Sequence, residues 1–278
     1  MKKVTAPWVI LFFLLQTAHS QTSSNPSFVE LIKGSWVEKP AGNKLYPELK
    51  IISFENSFCT MYARLPYQPY EVNRDQLIIN SKKSWKSRER LNFQIMRLNQ
   101  SELTLRTLKV DPEGPDTVSF VRLSAQNSIT PDKIIFASSD CYSFCPAMNI
   151  ELDPEGNMFF FGTSNIDKKG GYSGKLSAEE YNNILTLIRE LPIDSLKPHY
   201  SAQMTDQQHW GIAIVAGGKT IFTSAYGYYD EPPALRLLFH KLMESYKLAG
   251  LQPDFHVSQT RLFSDEAGKM VLRSLSED

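Results

Sequence analysis

The sequence lacks a net charge, an internal apolar run long enough to cross a membrane, and the short motifs of common enzyme classes. Its 30 basic residues balance its 30 acidic ones, so no long-range attraction to nucleic acid or anionic lipid is expected. Neither G-x-S-x-G nor H-E-x-x-H occurs, and there is no glycine-rich phosphate-binding motif. The sequence therefore predicts no catalytic residue, no metal and no cofactor. A hydrolase stays open as a third class of function, because distant loops can assemble sites that short motifs do not reveal.

Residues 1–20 have the pattern of an export signal. Two lysines precede an apolar run at 8–15, and small residues follow at 18–20. The apolar run is shorter than the roughly 20 residues that a membrane-spanning helix needs. We expect a mature chain that begins near Gln21, has no transmembrane segment, and is periplasmic or secreted.

Residues 21–123 are predicted to form a β-rich domain. Short strand candidates recur with turn-forming residues between them, which is typical of an antiparallel barrel or sandwich. The predicted strands are Glu48–Phe54, Gln76–Ile79, Leu91–Arg97, Leu103–Leu108 and Thr117–Leu123. The basic stretch 82–90, KKSWKSRER, is interpreted as a solvated loop, because the net charge gives no support to nucleic-acid binding.

The second half of the chain predicts a different architecture. Residues 124–132 are polar and turn-rich and predict a linker, and residues 133–250 predict an α+β domain in the order β-β-β-α-β-β-α. The predicted strands are 133–137, 148–152, 158–161, 212–215 and 220–223, and the predicted helices are 177–191 and 232–246. Residues 251–278 are weakly patterned, so a weakly structured tail is expected there.

The β-rich half carries a motif on its first strand and a matching residue on its last. Gly34, Ser35 and Trp36 form a G-x-W, and Arg122 lies near the end of the domain. This pattern resembles that of small lipocalin-like domains of exported bacterial proteins, in which an arginine from the final strand covers the indole. The resemblance implies a small lipocalin-like antiparallel β-barrel, with Trp36 buried at its closed end and Arg122 over its face.

A second resemblance covers residues 132–248. A strand is followed there by C-x-x-x-C-P at Cys141, Cys145 and Pro146, then by a strand of alternating apolar residues, a turn, a strand, a helix, a second hairpin and a last helix. This order is similar to that of an uncharacterised domain family found in exported proteins of Bacteroidetes. The resemblance implies an architecture and supplies no activity.

Cysteine is scarce, with three residues in the chain. Cys141 and Cys145 are predicted to form a local structural disulfide, because export brings them into an oxidising compartment and their spacing lets the Cα atoms approach within bonding range. Two free, unreactive thiols remain an alternative. Cys59 lies on a probable strand and is expected to be a buried, inert thiol, although a bridge to the second half stays open.

The motif C-x-x-x-C-P also resembles the copper motif of Sco-type thiol proteins. A thiol oxidoreductase or copper carrier acting through Cys141 and Cys145 is therefore the alternative function. In those proteins a helix follows the motif and lowers a thiol pKa, whereas a strand pattern follows Pro146 here. A copper site would also need a further ligand. The histidines that offer one are His199, His209 and His240.

Three tyrosines cluster in the segment 224–233, SAYGYYDEPP. Tyr226, Tyr228 and Tyr229 are interpreted either as core packing at a strand-to-helix corner or as exposed aromatics that stack on a sugar or a peptide. Together with the export signal, the sequence favours an exported, non-enzymatic binding or envelope-associated protein. Its partner is expected to be a small molecule, a glycan or another envelope protein.

Overall fold

The computed structural model describes residues 27–39, 51–56, 58–61, 68–84, 87–108, 117–142, 144–227 and 230–276. Over these residues the protein is β-rich, with a closed eight-stranded antiparallel barrel followed by a second, mixed eight-stranded sheet that carries helices. The predicted fold class is thereby confirmed. The predicted export signal, Tyr228 and Tyr229 lie outside the described residues.

The barrel consists of eight consecutive strands, each antiparallel to the next. They are β1 (Gly34–Glu38), β2 (Ile51–Phe54), β3 (Phe58–Met61), β4 (Gln68–Asn73), β5 (Gln76–Ser84), β6 (Ser87–Leu98), β7 (Glu102–Thr107) and β8 (Thr117–Arg122). The last strand closes the barrel on the first, with Arg122 opposite Trp36. A short helix, α1 (Phe28–Ile32), precedes β1, and the hydroxyl of Ser27 caps it by accepting a bond from the Glu30 amide.

Apolar side chains fill the barrel interior, because eight strands enclose a space just wide enough for them. The fully buried ones include Trp36, Phe54, Leu77, Ile79 and Leu103. The five strands predicted from the alternation lie where expected, and the G-x-W lies on the first strand as predicted. β3 contains Cys59, for which the sequence predicts a strand. β4 is not among the predicted strands, since it is short and contains Pro69, which cannot donate a ladder hydrogen bond.

Eight further strands form the second sheet. They are β9 (Lys133–Ser138), β10 (Ala147–Leu152), β11 (Asn157–Ser164), β12 (Gly170–Lys175), β13 (His199–Ser201), β14 (His209–Ala216), β15 (Lys219–Tyr226) and β16 (Gln252–Pro253). Their spatial order is β13-β15-β14-β9-β10-β11-β12-β16. β13 pairs with β15 in parallel, which makes the sheet mixed.

Helices cover both faces of this sheet. They are α2 (Ala178–Arg189), α3 (Pro233–Ser245), α4 (Gln259–Leu262) and α5 (Glu266–Ser274). α2 and α3 pack on one face, over a large apolar core that contains Phe160 and Phe239. α5 packs on the other face, where Phe263 and Val271 are buried in a smaller core with Ile135.

The expectation of a weakly structured tail at 251–278 is wrong for most of that segment. Residues 252–274 contain β16, α4 and α5, and α5 contacts β14, β15 and β9. The sequence signal is weak because α5 is short and two of its buried positions are small, Ala267 and Gly268. Such residues add little to a hydrophobic pattern although they let the helix approach the sheet closely.

β12 is likewise absent from the predicted strands, because its sequence, GGYSGK, is rich in glycine. A Cβ on Gly171 would lie 2.0 Å from the carbonyl oxygen of Val257, and one on Gly174 would lie 2.4 Å from that of Ala249. Glycine is therefore required where later segments of the chain cross this strand closely.

The predicted linker, 124–132, is bonded to the end of α2. The side-chain amide of Asn127 donates to the carbonyl oxygens of Ile188 and Leu191, each at 2.9 Å. Carbonyl groups in the last turn of a helix lack partners within the helix, and Asn127 supplies one. The segment that joins the halves thus also caps the C-terminal end of α2.

Candidate functional site

Cys141 and Cys145 form a disulfide, as predicted, with their Cα atoms 5.4 Å apart. The loop that the disulfide closes connects β9 to β10. The carbonyl oxygen of Pro146 accepts bonds from the Ser138 hydroxyl and the Gln208 side-chain amide, each at 2.8 Å. The element that follows is the strand β10, which lacks the N-terminal dipole with which a helix lowers the pKa of a thiol.

Two aromatic side chains on the disulfide loop are almost fully exposed, Tyr142 at 89% and Phe144 at 87%. The loop itself is held in place. Besides the bonds to Pro146, the side-chain amide of Asn165 donates to the carbonyl oxygen of Cys145 at 3.1 Å. The two rings are thus presented to solvent by a well-anchored segment.

This loop lies at one end of the second sheet, the disulfide end, which comprises residues 138–142, 144–147, 164–170 and 254–257. The strand register places it there, since Ala147 is opposite Ser164 on the neighbouring strand. A third aromatic, Phe255, follows β16 at the same end and is 99% exposed. β16 is three strands from β10, so about 14 Å separates the two positions across the sheet.

Tyr226 ends β15 beside the disulfide end but is partly buried. Its ring centroid lies 4.5 Å from that of His209, and its hydroxyl accepts a bond from the Gln207 amide at 3.2 Å. These are the contacts of a packed side chain rather than of an open aromatic platform.

The histidines considered as copper ligands lie in different surroundings. Nδ1 of His199, on β13, is 2.8 Å from the hydroxyl of Ser224. His209 packs on Tyr226, and His240 is buried in α3, where burial lowers its pKa to about 4. Within the described ranges, no three His, Cys, Asp or Glu side chains are grouped as a metal site requires.

Trp36 and Arg122 meet as the G-x-W pattern predicts. Trp36 is fully buried and donates from Nε1 to the carbonyl oxygen of Ile32 at 2.7 Å. The guanidinium of Arg122 lies 4.2 Å from the centre of the indole and donates to the carbonyl oxygens of Leu31 and Lys33. The pair thus links α1 to β1 and β8, the first and last strands of the barrel.

Cys59 is a free thiol inside the barrel, and burial raises its pKa to about 12. A thiolate is therefore strongly disfavoured there, which makes this cysteine inert. The prediction of a buried, unpaired Cys59 is confirmed.

The barrel meets α2 and α3 through three charges, the Lys241 cluster, which consists of the buried Lys241 and the half-buried Glu55 and Glu180. Nζ of Lys241 lies 2.8 and 2.9 Å from the two carboxylate oxygens of Glu55 and 2.6 Å from Oε2 of Glu180. Burial raises the pKa of Glu55, and the charge of Lys241 opposes that rise. Because Glu55 follows β2 while the others lie on helices, the cluster joins the two halves.

A cavity of about 130 Å³ opens beside the Lys241 cluster, between the barrel wall and α2. Its polar lining consists of Lys33, Ser35, Ser53, Glu55, Asn56, Glu179, Asn183 and Thr186. Glu179 and Asn183 are four residues apart and so face the barrel from one side of α2. Nδ2 of Asn183 is buried and has no hydrogen-bond partner in the described part of the chain.

Glu190, at the C-terminal end of α2, adds another buried charge to this contact. Its side chain bonds to Ser35 of the barrel and faces the charge of Arg122. Burial outweighs both effects and raises the pKa of Glu190 to about 7. The residue is only 7% exposed.

None of these interface charges is among the residues predicted from the sequence. A signal exists in α3, because its apolar sequence PALRLLFHKLMES includes Arg236, His240 and Lys241. A helix that is apolar on most sides is buried, so a lysine within it needs a carboxylate partner. The identity of that partner, Glu55 on the barrel, is set by tertiary contacts alone.

Comparison with known proteins addresses the second half of the chain. No curated protein matches the chain at a significant level. None of the helices in the described ranges has the length and apolar character needed to cross a membrane. Residues 132–246 match the model of a family described as a domain of unknown function, DUF6438. The matched region begins just before β9 and ends after α3, so the chain carries a DUF6438 domain that includes the disulfide loop.

Proposed function

We propose that the protein is an exported, non-catalytic binding protein that docks another protein of the cell envelope through the disulfide end of its second sheet. The observation that carries this proposal is the near-complete exposure of Tyr142, Phe144 and Phe255. Exposed apolar surface on a folded domain marks interaction sites, and aromatic side chains dominate the energetics of protein interfaces.

These three side chains stand apart from the rest of the exposed apolar surface. The other large apolar side chains that count as exposed in the described ranges lie between 39% and 54%. Such values leave about half of each side chain packed, as is common on any protein surface. A ring that is 87% exposed or more offers almost its whole area to a partner.

The disulfide prepares Tyr142 and Phe144 for docking. A loop that is covalently closed and hydrogen-bonded at its base loses little conformational entropy when a partner binds. The disulfide also agrees with the export signal proposed for residues 1–20, because such bonds persist outside the cytoplasm. The resemblance to exported proteins of Bacteroidetes supports the same compartment.

The barrel has a supporting role in this proposal. The Trp36–Arg122 pair supports the lipocalin-like resemblance, but the interior is packed with side chains. The thiol oxidoreductase or copper carrier draws no support from the site, since the cysteines are joined and a strand follows them.

Site-specific photocrosslinking in cells that export the protein tests the proposal. A benzophenone amino acid is introduced at Tyr142, Phe144 or Phe255, and at Phe28 as a matched aromatic control, which is 40% exposed on α1. We expect one protein adduct common to the three positions and absent at Phe28. Intact-mass analysis of the same exported protein is expected to show a new N-terminus near Gln21.

Three outcomes would contradict the docking proposal. The first is no adduct at any of the three positions, and the second is an adduct pattern identical to that of Phe28. The third is an adduct that glycosidases remove and proteases do not, which would assign the surface to a glycan. Recovery of the unprocessed chain from the cytoplasm would contradict export.

A further inference from the structure

We infer that the cavity between the barrel wall and α2 is a binding site for a small organic amine that also carries a hydroxyl or carbonyl oxygen, such as an amino alcohol. The site lies on the contact between the two halves, where small-ligand pockets commonly occur. It is separate from the disulfide end, and it does not depend on the docking proposed above.

The gap exists because the barrel wall presents small side chains at this point. Ser35 of β1 and Ser53 of β2 are opposite each other in register, with their hydroxyl oxygens 3.4 Å apart. Outward-facing serines leave space that α2 does not fill. The cavity of about 130 Å³ exceeds the roughly 30 Å³ share of one water molecule several times over, so it has room for a molecule of a few heavy atoms.

The charge around the cavity favours a cation. Lys241 is shared between two carboxylates, Glu55 and Glu180. Lys33 lines the cavity as well, but its ammonium pairs with Glu30 at 2.8 Å. One carboxylate in the Lys241 cluster is therefore left without a full counter-charge.

A second carboxylate, Glu179, adds to this excess at the rim of the cavity. Its carboxylate accepts a bond from the side-chain amide of Asn56, which is neutral. Burial also raises the pKa of the Glu55 carboxyl despite its contact with Lys241. An incoming ammonium group would offset the cost of burying the ionised Glu55 carboxylate. It would also supply N–H groups that donate hydrogen bonds to the carboxylates.

The hydroxyl or carbonyl oxygen of the ligand is inferred from Asn183, whose side chain needs a hydrogen-bond acceptor. Its Nδ2 is buried without a partner in the described residues, and a buried donor is costly when unsatisfied. Asn183 lines the same cavity as Glu55 and Glu179. A compact molecule with an ammonium group near the carboxylates can place a hydroxyl or carbonyl oxygen at Asn183.

Isothermal titration calorimetry of the full chain in phosphate buffer, with ethanolamine as the probe, tests this inference. We expect saturable binding with a dissociation constant on the order of 1 mM, since a probe of so few atoms has limited affinity. Ethylene glycol lacks the ammonium group, and tetramethylammonium lacks both the oxygen and the N–H donors. Each is expected to bind at least about tenfold more weakly.

Two variants with matched controls locate the site. Asn183→Leu removes one polar contact and Glu179→Gln removes one negative charge, and each is expected to weaken ethanolamine binding about tenfold. Asn182→Leu makes the same change one residue away on an exposed position, and Glu266→Gln makes it in the first turn of α5. Both controls are expected to bind as the unmodified chain does.

Absence of saturable binding by the unmodified chain would overturn the inference and leave a cavity filled by water. Binding that is equal for ethanolamine and ethylene glycol would overturn the charge argument. Equal affinity of Asn183→Leu and Asn182→Leu would place the amine elsewhere. Far-UV circular dichroism checks that each variant is folded, and Glu179→Gln, at an exposed helix position, remains a test if Asn183→Leu does not fold.

Discussion

Inside the barrel, Trp36, Leu77 and Leu103 are fully buried among apolar neighbours, and the second sheet buries Phe160 and Phe239 in the same way. The outer wall of the barrel differs, because much of its contact with α2 and α3 is made through serines, carboxylates and a lysine. Apolar burial is non-directional and scales with area, whereas paired charges depend on each partner and on pH. Each half thus has its own apolar core. The junction between the halves combines an apolar contact, in which Ile51 of the barrel joins the core of the second half, with paired charges.

The contrast predicts different responses to mutation. Truncating an apolar layer should remove stability in proportion to the surface uncovered. Removing one member of a charged group should leave its partners unpaired and partly desolvated, so a single side chain has a large effect. A change of pH should act on the junction more than on either core.

Deleting residues 254–278 probes the apolar side of this comparison and should have the largest effect. The truncated chain loses α4 and α5 and with them the cover over Ile135. We expect a loss of about 5 kcal/mol or more in the free energy of unfolding, because full burial of Phe263, Val271 and Ile135 each contributes roughly 1.5–3 kcal/mol. Urea denaturation followed by circular dichroism measures it, with a chain ending at residue 276 as the control. An unchanged midpoint would show that α5 is dispensable.

Lys241→Met probes the polar side. The substitution keeps the volume of the side chain but leaves Glu55 and Glu180 without their shared cation. We expect a loss of about 3–5 kcal/mol in the free energy of unfolding. Lys247→Met is the control, since Lys247 is exposed and pairs with Glu244, an arrangement worth less than about 1 kcal/mol. Equal effects of the two substitutions would mean that the Lys241 cluster does not hold the halves together.

Glu190 provides the pH test, with the smallest expected effect. Its pKa rises from 4.5 in the unfolded chain to about 7 in the folded protein, so the folded state prefers the protonated carboxyl. Stability from this group is fully present below pH 4.5 and is lost as pH rises to about 7, by on the order of 3 kcal/mol.

Urea midpoints measured between pH 4 and pH 8 test this dependence. The groups that face Glu190 are Ser35, which does not titrate in this range, and Arg122, which stays charged. Glu190→Gln is therefore expected to flatten this part of the profile. Glu155→Gln, at an exposed turn position, should leave it unchanged. A profile that Glu190→Gln does not alter would place the pH dependence on another group.

The sequence allowed prediction of most of the fold where side chains alternate clearly. Met148, Ile150 and Leu152 define β10 by period-2 spacing, and Tyr181, Ile184 and Ile188 define the buried side of α2. Elements without such spacing were missed. The glycines of β12 carry no pattern because their role is to let other segments approach.

The candidate sites also divide into features that a local sequence pattern predicts and features that it does not. The disulfide could be predicted because two cysteines close in sequence need only a local turn to meet. The exposure of Phe255 could not be predicted, because it depends on which segment crosses the end of β12.

The sequence alone predicts the barrel strands with clear alternation, the two long helices, the pairing of Cys141 with Cys145 and the meeting of Trp36 with Arg122. Each of these rests on local periodicity, on short spacing or on a recognisable motif. Three features depend on the folded chain: Lys241 meets Glu55, serines leave a cavity against α2, and three aromatic rings share one end of a sheet. These contacts join residues far apart in the chain, and no local pattern specifies which distant partner a buried charge or an exposed ring will find.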